Sequence, residues 1–252
     1  MSATATWVVP CYNEAARLDL DAFASLVDDE PAVTLLFVND GSRDETEARL
    51  QELAARRPGR IEVLTLDRNQ GKAEAVRQGL LRALAEGASI VGYFDADLAT
   101  PIAEMRRLNA LLAERDVDLL LGARVSMLGR EIERHPSRHY LGRVFASAAS
   151  FVLGLRVYDT QCGAKLFRRT AALEAALGQP FQSRWLFDVE LMGRLIGAPE
   201  GIAIDTRRIL EEPLQRWRDV RGSKLHASDF VRAALELPRI AWDLRRRRRT
   251  PR

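Results

Sequence analysis

The chain has 252 residues, 47% of them hydrophobic and 29% charged, which supplies a core for one large domain and excludes a disordered polypeptide. Its formal charge of +3 conceals an asymmetry: residues Arg239 to Arg252 hold seven arginines against one aspartate, so residues 1–238 carry a net charge of −3. A mildly acidic body with a basic appendage argues against a nucleic-acid-binding body.

No apolar run approaches the ~20 residues that span a bilayer. The start, Met1-Ser2-Ala3-Thr4-Ala5-Thr6, lacks the basic residues of a signal peptide. Cys11 and Cys162 are too few for a disulfide framework, and a reducing cytoplasm is the expected compartment.

In chain order, Trp7-Val8-Val9 reads as a strand stopped by Pro10, followed by a loop and a helix over Glu14–Val27. Val33–Val38 is a continuous apolar run, the mark of a strand covered on both faces. It ends in the turn Asn39-Asp40-Gly41-Ser42, and a helix over Asp44–Arg56 stops at Pro58-Gly59. Ile61–Leu66 is a third strand, and a helix over Lys72–Ala85 follows the loop Arg68-Asn69-Gln70-Gly71. A fourth apolar run ends in Asp95-Ala96-Asp97. Three strand–helix alternations describe a parallel α/β sheet with right-handed crossovers.

Each strand of this half ends in polar residues, and ligands of open α/β sheets bind at the carboxyl ends of strands. Asp95 and Asp97, two apart on an extended chain, face one point. Their repulsion is relieved by a hard divalent cation with open positions for phosphate oxygens, or simply by solvent. No Gly-x-Gly-x-x-Gly follows the first strand, and Gly71-Lys72 lacks the rest of a P-loop, so neither a nicotinamide site nor a Walker site is expected.

The second half is less regular. A helix is expected over Pro101–Leu112 with Thr100 as cap, a strand over Val117–Leu121, a mobile loop over Ser126–His139 and a helix over Tyr140–Leu155. A strand over Ala164–Phe167 follows the turn Tyr158–Gly163, Arg184–Glu190 leads into a helix, and Gly201–Arg207 reads as a late strand. Beyond it, Phe230, Val231, Ala234, Leu235, Leu237, Ile240, Ala241, Trp242 and Leu244 recur at roughly helical spacing before Arg245–Arg249. That segment suits an anionic membrane surface, or alternatively is a helix packed on the body with a disordered basic tail.

Several stretches together resemble the inverting nucleotide-sugar glycosyltransferases of family 2. These are Val9–Glu14, Val38–Asp44, Asn69-Gln70-Gly71-Lys72 and Asp95-Ala96-Asp97. Asp159–Phe167, Arg184–Glu190 and Gly222-Ser223-Lys224-Leu225 look like the dolichyl-phosphate β-glucosyltransferase branch. The resemblance implies the GT-A nucleotide-diphospho-sugar transferase fold, a mostly parallel sheet flanked by helices, as a single domain over residues 1–226, with an amphipathic helix and polybasic tail over 227–252. It implies transfer of glucose from UDP-glucose to a polyprenyl phosphate, with Mg²⁺ or Mn²⁺, at the cytoplasmic face of the membrane. GDP-mannose, a soluble acceptor and a non-catalytic binding scaffold are the alternatives. Asp97-Leu98-Ala99-Thr100 lacks the Gln found after the acids in many polyprenyl-phosphate mannosyltransferases, which counts against mannose, and eukaryotic members of the branch usually carry an N-terminal membrane helix not seen here.

By the same resemblance Pro10, Tyr12, Asn13 and Glu14 lie along the nucleoside, and Asp40 accepts the base N–H. Ala96 sits between the two acids, Asp97 binds the metal, and Asp95 holds the ribose or the metal waters. Asp40 also suits a helix cap, and Glu14 a first-turn acid. Lys72 at a helix start is a poor dipole choice unless it meets an anion such as diphosphate. A lipid phosphate, with a second pKa of about 6, arrives as an oxyanion and needs cations more than a base. Arg124, Arg138, Lys165 and Arg184 are the expected clamp. Asp188, then Asp159, is the expected base where one is used, and an ion pair of Asp188 with Arg184 is the structural alternative.

Overall fold

A computed structural model describes residues 4–133, 136–220, 236–244 and 246, with the side chains of residues 136–141 excepted. The first half runs β1 (Ala5–Cys11), α1 (Leu20–Asp29), β2 (Val33–Asn39), α2 (Thr46–Arg56), β3 (Ile61–Thr65), α3 (Lys72–Ala85) and β4 (Ile90–Phe94). These strands are all parallel, in the order β3-β2-β1-β4. Their carboxyl ends therefore share one edge, where the acids of the sequence collect.

Alternation puts Trp7 and Val9 in the core under α1, α2 and α4, while Val8 packs on the other face with α3. Both faces are covered, which explains the unbroken apolar run of β2.

Pro10 does not stop β1; it lies inside the strand opposite Val38. The Thr4 carbonyl accepts from Ile90 N–H, so even-numbered residues of β1 turn their backbone groups toward β4. The β4 ladder ends at Val8, and the N–H that Pro10 lacks would have had no strand partner. α1 begins later than expected, because residues 14–18 turn back on the Glu14 carbonyl and Asp19 caps the helix through Ala22 N–H.

The second half runs α4 (Ile102–Glu114), β5 (Leu119–Ala123), β6 (Glu131–Glu133), α5 (Pro136–Leu153), β7 (Ala164–Arg168), α6 (Ala171–Leu177), α7 (Phe187–Ile196), β8 (Ile209–Pro213) and β9 (Arg216–Arg218). β7 enters antiparallel between β4 and β5, and β8 is parallel to β5 at the edge. So the start of β7, not its end, reaches the carboxyl edge of β4.

Three expectations for this half need correction. The late strand is Ile209–Pro213; Thr206–Arg208 form a 3₁₀ turn because Asp205 caps Arg207 N–H. The expected mobile loop over 126–139 holds β6, which pairs with β9 and sets Glu131 against Arg216 and Glu133 against Arg218. The following helix spans Pro136–Leu153, ended by Gly154 at φ +69°.

Residues 236–244 form a further helix, α8. Its Ile240 and Leu244 are buried, and a Cβ on Gly193 of α7 would meet Leu244 Cδ1 at 2.2 Å. Trp242 points outward, 66% exposed. This stretch of the amphipathic segment is thus docked on the body, while 227–235 and 247–252 lie outside the described residues.

Candidate active site

The ends of β1 and β2 are tied into one bracket. Asn13, at φ 51°, donates its N–H to Ser42 Oγ (3.1 Å) and accepts Arg43 N–H at Oδ1 (2.9 Å). Glu14 N–H donates to Thr46 Oγ1 at 2.8 Å, and the Glu14 carboxylate pairs with Arg17. Pro10 and Tyr12 are half-buried at the same strand end. The first-turn role imagined for Glu14 does not apply, since α1 begins at Leu20.

Asp40 is buried and accepts from Gln70 N–H (2.7 Å) and Gly71 N–H (2.8 Å). Burial raises its pKa, and these bonds with the nearby Arg184 charge pull against that. From the other side Arg184 donates to the carbonyls of Gln70 (2.8 Å) and Asn69 (3.3 Å). The loop before α3 is thus held by its N–H groups from β2 and by its carbonyls from the chain before α7. Gly71 sits at φ +96°, and a Cβ there would lie 2.9 Å from Arg184 Nε, so both conformation and space require glycine.

Lys72, the first residue of α3, pairs with Asp95 Oδ1. The protein packed around the crevice partly desolvates this exposed ammonium, but the Asp95, Asp188 and Asp97 carboxylates outweigh that and raise it above its ordinary value. Asp97 accepts from Ala99 N–H at 3.1 Å, with Arg17 3.9 Å away. Burial, then the Asp95 charge, raises Asp97 above the ordinary carboxylate range. Leu98, between this turn and Ala99, is held at φ 53°.

The residues fit a divalent cation. Two neighbouring carboxylates, one of them raised by burial and then by the other's charge, form a hard oxygen site that seeks positive charge. Among the described residues no group of three His, Cys, Asp or Glu surrounds a point, so no all-protein cage exists. Magnesium-type sites take one or two carboxylates and complete the shell with substrate phosphate and water.

Gly163, just before β7, also shapes this site. A Cβ there would stand 2.0 Å from Asp95 Oδ2, so the glycine makes the room the carboxylate occupies. Its sequence signals were its place in the Asp159–Phe167 stretch and immediately before an apolar strand.

On the far side of the crevice the charges are paired. Arg124 holds Asp159 through two bonds of 2.6 and 2.8 Å, and the backbone of 158–159 donates to Glu211. Lys165, 1% exposed, pairs with Asp188 at 2.7 Å and donates to the Cys162 carbonyl at 2.6 Å. Tyr93 O–H also donates to Asp188, and burial followed by the Asp188 charge raises the phenol well above its usual range. Asp188 therefore pairs with Lys165, not with Arg184. Arg184 meets neutral carbonyls, so those contacts leave its full charge at the crevice. Arg138 lies on α5 with its side chain outside the described ones. Tyr93 was missed because a phenol in a buried strand reads as core.

Acidic strand ends, a lysine at a helix start and one antiparallel strand in a parallel sheet define a nucleotide-sugar transferase of the GT-A fold. The chain belongs to glycosyl transferase family 2, whose profile matches residues 6–174. It is 31% identical to the dolichyl-phosphate β-glucosyltransferase ALG5C of Trichomonas vaginalis, over 94% of this chain and 70% of that one. It is 30% identical to the dolichyl-phosphate β-glucosyltransferases of Drosophila melanogaster and Homo sapiens, each over 86% of this chain and 68% of theirs. Among solved structures, glucosyl-3-phosphoglycerate synthase of Mycobacterium tuberculosis in complex with Mn²⁺, UDP and glucosyl-3-phosphoglycerate superposes with a TM-score of 0.68. That match has 19% identity and covers 96% of this chain and 80% of that one.

Proposed function

We propose that this chain is a hexosyltransferase that moves glucose from UDP-glucose to a polyprenyl phosphate of the dolichyl type, inverting the anomeric centre. The observation that carries this reading is the Asp95–Asp97–Lys72 cluster at the end of β4, in a chain whose relatives are named dolichyl-phosphate β-glucosyltransferases. In it, Pro10, Tyr12, Asn13 and Glu14 border the nucleoside, Ala96 gives close backbone approach, and Asp40 meets the base while it holds the loop of Gln70 and Gly71. Asp97 and Asp95 hold Mg²⁺ or Mn²⁺. When bound, that ion supplies a Lewis acid that offsets the charge growing on the leaving diphosphate. Lys72 adds a second positive group to the same phosphates.

The acceptor half fits an ionised nucleophile. Asp188 already accepts from Lys165 and Tyr93, and Asp159 from Arg124, so both expected bases are engaged by donors within the chain. A phosphate acceptor with a second pKa of about 6 needs no base near neutral pH. In this reading Arg184 and Arg138 draw the acceptor phosphate toward the crevice, while Arg124 and Lys165 keep their carboxylates in place. Among the described residues no helix is long and apolar enough to cross a membrane. In this reading the chain sits peripherally at the cytoplasmic face. The outward Trp242 and the arginines after Leu244 support such contact.

Incubating the purified chain with Mn²⁺, radiolabelled UDP-glucose and a short polyprenyl phosphate tests the proposal. The expected product is a glucolipid whose formation stops with EDTA. UDP-glucose binding without any transfer would leave a binding scaffold instead.

A further inference from the structure

Helix α5 has an outward face that water does not explain. From Val144 to Leu155 the sequence holds no charged residue, and Ala146, Ala149 and Leu153 turn inward to the core. The opposite stripe, Val144, Ser147, Ala148 and Phe151, is exposed at the i, i+3, i+4, i+7 spacing of one helix face. Val144 is 69% and Phe151 82% exposed. A helix apolar all round is ordinarily buried on every side; this one is buried on one.

The fold places this helix beside the acceptor side of the crevice. Arg143 donates to the Tyr158 carbonyl at 3.0 Å and lies 3.6 Å over the Tyr158 ring, next to the Arg124–Asp159 pair. Phe145 packs edge-on against Trp185, next to Arg184. A second apolar feature leaves the same sheet edge. The turn after β5 carries Met127, 51% exposed, and the fully exposed Leu128. Charge points the same way: residues 134–158 contain Arg134, Arg138, Arg143 and Arg156 and no acid.

We infer that the outward face of α5, with the Met127-Leu128 turn, is a membrane-docking surface that lies in the headgroup region of an anionic bilayer and brings the acceptor side of the crevice to the lipid. Apolar side chains enter the acyl boundary while the flanking arginines stay at the phosphates, the arrangement of an interfacial helix. This surface is distinct from the C-terminal segment, and it deepens the lipid-phosphate reading, since a polyprenyl phosphate is presented from such a surface.

The test uses the full chain and vesicles of phosphatidylcholine with phosphatidylglycerol, free of prenyl phosphate, beside phosphatidylcholine alone. Flotation should show binding to the anionic vesicles that weakens about tenfold or more in Val144→Ser/Phe151→Ser. Both side chains are exposed, so thermal unfolding should be unchanged. Transfer to a short, water-soluble prenyl phosphate without vesicles should also match the wild type. Undiminished flotation of the variant overturns the inference and leaves the lipid-phosphate reading intact. Lost flotation in a chain that glucosylates no prenyl phosphate overturns that reading and leaves the docking surface. A wild-type dimer in sedimentation that the double substitution dissociates, with no flotation by either, assigns the face to a second copy and overturns the inference.

Discussion

Replacing Gly163 with alanine separates the site from the fold. The added Cβ would stand 2.0 Å from Asp95 Oδ2 and 2.4 Å from Asp95 Cγ. Carbon–oxygen contacts settle at about 3.3 Å or more, so the carboxylate must retreat by roughly 1.3 Å and release Lys72. A displacement of about 1 Å in a reacting constellation costs on the order of 100-fold, or about 2.7 kcal/mol of transition-state stabilisation. The fold should lose far less. The obstacle is the end of a short side chain that can rotate, so overpacking stays near the low end of about 1–3 kcal/mol. The stiffer unfolded chain returns about 0.4–1 kcal/mol. Gly163→Ala should therefore drop kcat/KM for glucosyl transfer about 100-fold, while urea stability stays within about 2 kcal/mol of the wild type. Gly178→Ala is the control, since its Cβ would find nothing nearer than the Ala175 carbonyl at 3.4 Å. Wild-type kcat/KM and undisturbed Mn²⁺-dependent UDP binding in Gly163→Ala would refute the reasoning.

Burial and the Asp95 charge raise Asp97, so the folded chain holds that proton more tightly than the unfolded one and loses stability as pH rises through the raised value. Asp97→Asn should have a higher urea midpoint than the wild type near neutral pH, a matching one in acid, and no metal-dependent UDP affinity; a lower midpoint at neutral pH contradicts this. Lys165→Met leaves Asp188 buried without its cation and should cost about 3–5 kcal/mol. Adding Asp188→Asn should recover part of that loss in a double-mutant cycle, and simple additivity would show the pair to be uncoupled. Ending the chain after Ala227 removes Ile240 and Leu244 from the core and should cost about 3–6 kcal/mol. Ending it after Arg246 should leave the unfolding temperature unchanged and weaken binding to anionic vesicles. Equal stability of the two truncations would show that α8 does not hold the body.

The parallel half was legible because each of its strands is an apolar run closed by an acid or amide, a local signal. Pro10 was misread because its tolerance depends on where the neighbouring ladder stops, which no single strand records. The reversed direction of β7 was invisible, since a short apolar run reads alike both ways. At the candidate site, position alone singled out Asp95, Asp97, Lys72 and Asp40, which the structure gathers at one edge. The pairings of the acceptor-side charges were not legible, because Arg124 and Asp159 are 35 residues apart and Lys165 and Asp188 belong to different elements. The alternative that paired Asp188 with Arg184 chose the nearer cation in sequence, and packing chose the buried one. α6 was overlooked as a short alanine-rich segment, although Thr170 caps it through Leu173 N–H.

The loop before α3 is fastened twice, by Asp40 on its N–H groups and by Arg184 on its carbonyls, 114 residues further along the chain. Fixing a residue's backbone costs about 1–2 kcal/mol of conformational entropy. For Asn69, Gln70 and Gly71 that entropy is lost when the chain folds, not when a donor arrives. A nucleotide sugar then meets a preorganised loop, and more of its contact energy remains as affinity. Because one fastener comes from each half of the chain, the donor side is rigid only once the acceptor side has folded onto it.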